Sequence, residues 1–169
     1  MNKKKSERLE GAAWQQLELV NGWIRHSDAK LTALLALVGI AGGGVYAVAQ
    51  DACGRPSILA TAAVAGALLA SAAICVVLGL IPRRRFLASD QAEVVFYRAV
   101  ASLYAAPTDY AAAFAAAQAR GELSANLLRQ VAINAAIADR KFVLTIWSTA
   151  LLALGLAALV TGATMSVLG

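Results

Sequence analysis

The sequence predicts an all-α integral membrane protein with three transmembrane helices and a small cytoplasmic helical domain. Three observations predict it. The 169 residues are 60% hydrophobic with a mean hydropathy of +0.65. Only 15% are charged, against about 25% in an average soluble domain. The charges also leave three long gaps, Leu31 to Gln50, Pro56 to Pro82 and Phe142 to Gly169, of 20, 27 and 28 residues. About 20 helical residues cross a hydrocarbon core of roughly 30 Å, so each gap is long enough.

The N-terminal segment, residues 1–30, reads as a cytoplasmic amphipathic helix. Trp14, Leu17, Asn21, Ile24, Asp28 and Leu31 follow alternating three- and four-residue steps and so share one face. No proline falls between Ser6 and Gln50, so the helix is expected to run unbroken into transmembrane helix 1, residues 31–50. That span starts too late and is too long for a cleaved signal segment. It carries Gly39 and Gly43 in GxxxG spacing, which lets helix backbones approach closely in lipid. Packing within the chain and packing between subunits are both open readings of that spacing.

A short link, Asp51 to Arg55, makes an antiparallel hairpin with transmembrane helix 2, residues 56–82, and Pro56 suits the first turn of that helix. Arg83, Arg84 and Arg85 then mark the cytoplasmic face. In the cytoplasmic segment, residues 83–141, Ser89 or Asp90 with Glu93 suggests a capping box for a helix that stops before Pro107. A second helix begins near Pro107 or Thr108 and ends at Gly121. A third starts near Ser124 and continues into transmembrane helix 3, residues 142–168.

Fourteen of the fifteen Lys and Arg residues lie in the first and the penultimate of these segments; Arg55 alone lies in the outer link. The positive-inside rule then places the N-terminus in the cytoplasm and the C-terminus outside. The formal charge of +5 is read as orientation signal and contact with the lipid bilayer rather than with nucleic acid. The two cysteines, Cys53 and Cys75, sit too far apart in this scheme to bridge within one chain, and read as unpaired.

Catalytic signals are missing. The one histidine is His26, and no cysteine cluster, phosphate loop or nucleophile elbow occurs, so neither an enzyme, a metal site nor a cofactor is expected. The informative polar residues gather at the ends of the spans. Asn21 and Asp28 are seven residues apart on one helix, and Asn134 and Lys141 are seven apart on another. Asp28 is expected to pair with Lys141 or Arg140, because an unpaired carboxylate on an apolar face is costly. One reading is a network that fixes the helices together. The other is a ligand pocket formed by Asn21, Asp28, Asn134 and Lys141 with Trp23, Arg25, Tyr97 and Arg98.

The stretch from Leu19 to Lys30, LVNGWIRHSDAK, runs straight into a span. It resembles the opening of the transmembrane effectors of bacterial Pycsar antiphage defence. Asn21, Trp23, Ile24, Asp28 and Lys30 match that opening, with Ser27 where Ala is common. Phe96, Tyr97, Arg98, Ala99 and Val100, followed by Asp109 and Tyr110, resemble the family's loop, and Lys141 before the last span also fits. The resemblance implies an effector of the bacterial inner membrane that responds to a cyclic pyrimidine mononucleotide, cyclic UMP or cyclic CMP. The nucleotide comes from a partner cyclase, and the response impairs the membrane and causes abortive infection. A homo-oligomer is expected. The alternative from a different class is a ligand-independent accessory protein, such as a scaffold or transporter subunit.

Overall fold

The computed structural model describes residues 3–52, 54–81, 94–95 and 97–168, with the side chains of 3–6 and 97–99 left aside. All regular structure among them is helical: α1 (Lys3–Asp51), α2 (Pro56–Leu80), α3 (Tyr97–Leu103), α4 (Pro107–Arg120) and α5 (Leu123–Leu168). Helices α1, α2 and α5 are long and apolar enough to cross a membrane. Without an internal proline, α1 runs for 49 residues and α5 for 46.

The helix ends follow from local chemistry. The turn after α1 needs Gly54 at φ 79°, where a side chain would be strained, and Pro56 opens α2. Helix α2 stops because Pro82 forces the preceding Ile81 out of the helical region, to ψ 119°. Helix α4 closes in a Schellman motif. Gly121 adopts φ 72°, its N–H donates to Gln118 O at 3.0 Å, and the Glu122 N–H donates to Ala117 O at 3.0 Å. Helix α5 then begins at Leu123, one residue before the expected Ser124. The proposed capping box at Ser89, Asp90 and Glu93 lies outside the described residues, as do Arg83 to Arg85 and Cys53. Cys75 is a free thiol.

The chain divides into two compact units. The first comprises residues 1–24 and 83–138. Its core joins Ala13 and Leu17 of α1 to Val94, Ala117, Leu123 and Leu127, with Tyr104, Tyr110 and Phe114 packed against them. Tyr110 and Phe114 pack at a ring distance of 6.1 Å, and the Tyr110 hydroxyl donates to Val94 O at 3.0 Å.

The second unit comprises residues 25–82 and 139–169. Its core is made of smaller residues, Val38, Ala41, Leu69, Ala72 and Leu152 in one cluster and Val48, Ala52, Ile58 and Ala62 in another. Glycines set the approach. A Cβ at Gly79 would lie 2.7 Å from Leu31, at Gly155 2.9 Å from Leu69, at Gly162 2.8 Å from Thr61 and at Gly44 3.0 Å from Leu159. By contrast, a Cβ at Gly39, Gly42 or Gly43 would meet nothing within 4 Å. The GxxxG pair of α1 is therefore not used in packing within the chain.

Candidate functional site

The seven-residue spacing of α1 governs where its polar groups face. Every buried residue of α1, from Ala13 and Leu17 through Ser27 and Leu31 to Val48, falls on one of two positions of a seven-residue repeat. The line runs through Ala13, Val20 and Ser27 rather than through Trp14, Asn21 and Asp28. Trp14 is 44% exposed, which corrects its placement on the shared face. The small side chains of Ala13 and Ser27 allow a closer helix contact than an indole would. Asn21 and Asp28 sit one position further round, half-buried at the edge of the buried line.

In the first unit, Asn21 is part of a chain of amides. Asn134 Nδ2 donates to Asn21 Oδ1 at 2.7 Å, and Gln130 Nε2 donates to Asn134 Oδ1 at 2.8 Å. Gln130 is buried. These amides answer one another, which removes most of the cost of taking them out of water.

In the second unit, Lys141 Nζ donates to Asp28 Oδ1 in an ion pair. The two ends differ. The Lys141 side chain is 13% exposed and that of Asp28 is 39% exposed. Beside the pair, Ser27 is fully buried and its hydroxyl lies 3.4 Å from that of Thr145. Thr145 Oγ1 in turn donates to Lys141 O at 2.8 Å. Leu31 and Leu144 both pack against Gly79, and Leu159 packs against Gly44, so α1 and α5 run in the same direction through this unit.

The structure thus joins Asp28 to Lys141, one of the two partners expected for it, and also joins Asn21 to Asn134. It does not bring Trp23 to them. Trp23 is 46% exposed, and two residues from Asn21 it points to the far side of the helix. Arg25 is exposed; it is three residues from Asp28, the spacing of helix neighbours. Tyr97 and Arg98 belong to α3, with side chains outside those described. Sequence reasoning missed Gln130, Ser27 and Thr145. Gln130 was findable, since it stands one helical turn before Asn134. Ser27 gave no signal beyond being a small residue next to Asp28. A further concavity at the other end of this unit, between Arg55, Pro56, Ile58 and Thr164, Met165, Leu168, is apart from these groups. Among the described residues no group of His, Cys, Asp and Glu is placed to hold a metal ion.

Three long apolar helices with internally answered polar groups define a membrane protein of the three-span, all-α class. Residues 12–168 match the family described as the Pycsar effector protein domain, and the chain belongs to that family of antiviral defence effectors. The family is one of transmembrane effectors and not of enzymes. The chain is also similar to the Pycsar effector protein PtPycTM of Propioniciclava tarda, at 33% identity over 152 residues, which covers 88% of this chain and 74% of that protein. No solved structure matches the chain.

Proposed function

We propose that this chain is a cyclic pyrimidine nucleotide-activated membrane effector that impairs the bacterial inner membrane during phage infection. The observation that carries this reading is the family match across residues 12–168, joined to three helices apolar enough to span a bilayer. In this reading the trigger is cyclic UMP or cyclic CMP, made by a partner cyclase. Residues 1–30 and 83–141 are cytoplasmic, residues 31–50, 56–82 and 142–168 span the membrane, and the C-terminus is outside. The distribution of fourteen of fifteen basic residues supports this orientation.

A phosphodiester anion suits Arg and Lys donors, and a pyrimidine stacks on Tyr or Trp. Within the second unit Arg25, Asp28 and Lys141 are proposed as ligand-site residues, and within the first unit Asn21, Trp23, Tyr97, Arg98 and Asn134 are. The Asn21–Asn134 and Asp28–Lys141 contacts each join α1 to α5 within their own unit, so binding at either one alters helix packing there. Ligand acts only by its differential affinity for two packings. The open face of Gly39 and Gly43 supports a homo-oligomer as the active assembly. No catalytic step is required of the chain.

The test is expression in bacteria carrying a membrane-potential dye, with and without a co-expressed pyrimidine cyclase. Depolarisation is expected only with both proteins, and Arg98→Ala is expected to weaken it. Normal potential and growth with abundant nucleotide and well-inserted protein would favour the accessory-protein reading instead. Reporter fusions after Gly169 and within residues 83–141 test the orientation. A cytoplasmic signal from the C-terminal fusion would reverse it.

A further inference from the structure

We infer that the Asp28–Lys141 ion pair is the latch of the resting state, and that an anionic ligand opens it by taking the place of Asp28 on Lys141. This rests on the nucleotide-gated reading above and adds where the ligand's charge acts.

The geometry carries the inference. The Lys141 side chain is the more enclosed partner and that of Asp28 the more open one, at 13% and 39% exposure. An ammonium has three N–H donors, and among the described residues that of Lys141 donates to Asp28. On the same α1–α5 seam Ser27 and Leu31 are fully buried, and Thr145 Oγ1 donates to the Lys141 carbonyl. Asp28, the more exposed partner, is thus the open side of the pair, and an anion that takes its place meets Lys141 there. The exchange leaves the enclosed ammonium paired throughout, because one negative group replaces another. That avoids the large penalty of an unpaired buried charge. The displaced carboxylate is already partly in water, and Arg25, three residues away and exposed, can receive it.

The consequence is mechanical. Within this unit α1 and α5 lie parallel, tied across the seam by this ion pair and by the weak contact of two hydroxyls at 3.4 Å. With Asp28 released, the remaining contacts of the pair are apolar side chains and glycine approaches, which permit sliding and rotation more readily than a directional ion pair does. Both helices are candidate membrane spans, so loosening here acts on the membrane portion directly.

The test is Asp28→Asn, which keeps the shape and removes the charge. The latch predicts gain of function: depolarisation without any cyclase, or a response at about tenfold less nucleotide than wild type. A merely structural pair predicts the opposite, less inserted protein and a weaker response. The charge-swapped double variant D28K/K141D restores the pair and is expected to insert normally and stay silent without nucleotide. An Asp28→Asn protein that is inserted at wild-type level and remains silent, or needs more nucleotide, overturns the latch. So does a swapped variant that fires unprompted or fails to insert. The comparison of Asp28→Asn with wild type in the absence of nucleotide judges the latch alone. Failure of wild type to respond to nucleotide judges the nucleotide-gated reading.

Discussion

The two units differ in how closely their helices approach. The first, residues 1–24 and 83–138, buries Leu17, Leu123 and Leu127 with Val94 and sets three aromatic rings against them. The second, residues 25–82 and 139–169, also buries leucine, valine and isoleucine beside its alanines, but brings Gly79, Gly155 and Gly162 against facing side chains. The glycine approaches of the second unit suit helix contacts in lipid. In water, burying a large apolar side chain is strongly favourable, by about 1.5–3 kcal/mol each. In lipid that reward vanishes, and helices gain instead from close approach and from hydrogen bonds across the contact. The polar contacts between α1 and α5 differ as well. The first unit uses neutral amides, and the second uses an ion pair flanked by hydroxyls.

Substitutions can break this comparison, and the largest effect is expected in the first unit. Leu127→Ala removes a fully buried side chain and is expected to cost about 2–5 kcal/mol. Thermal unfolding of the purified full chain in detergent, followed with a probe in residues 83–138, measures it. Next is Gly79→Leu in the second unit, where even a Cβ comes 2.7 Å from Leu31. Overpacking of this kind costs about 1–3 kcal/mol, and the yield of inserted protein should fall. Gly42→Leu is its control, because nothing lies within 4 Å of a Cβ there, and yield should be unchanged. A third and smaller effect is expected for Asn134→Ala, which leaves Asn21 and Gln130 without their shared partner. The cost is about 1–2 kcal/mol. The smallest is Gly42→Ala, which should leave stability unchanged or raise it by up to about 1 kcal/mol through helix propensity. If Gly42→Ala instead weakens the response to nucleotide without loss of stability, that face is used by another copy of the chain.

Much of this architecture was legible from charge and breakers alone. The three uncharged runs mark the long apolar helices, and Gly121 and Pro107 mark the ends of α4. Asp28 and Lys141 were legible as a pair because two seven-residue spacings, Asn21 to Asp28 and Asn134 to Lys141, match each other. The phase of the α1 seam was not. Trp14 is the more hydrophobic choice, yet Ala13 is the buried one, because helix contacts select for smallness as well as apolarity. For the same reason Ser27 gave no warning that it would be fully buried, and Trp23 gave none that it would face away. A glycine pair in GxxxG spacing was ambiguous by nature. Sequence shows that a helix can be approached closely there, and only the fold shows that Gly44, Gly79 and Gly155 are approached while Gly39 and Gly43 are not.

In the proposed function a cyclic pyrimidine nucleotide gates this chain. The most direct test is calorimetric titration of the purified full chain in detergent with cyclic UMP and cyclic CMP, with cyclic AMP as the comparison ligand. The account predicts saturable binding of at least one pyrimidine nucleotide and none of cyclic AMP. Folded protein that binds neither pyrimidine nucleotide, or binds all three alike, would contradict it.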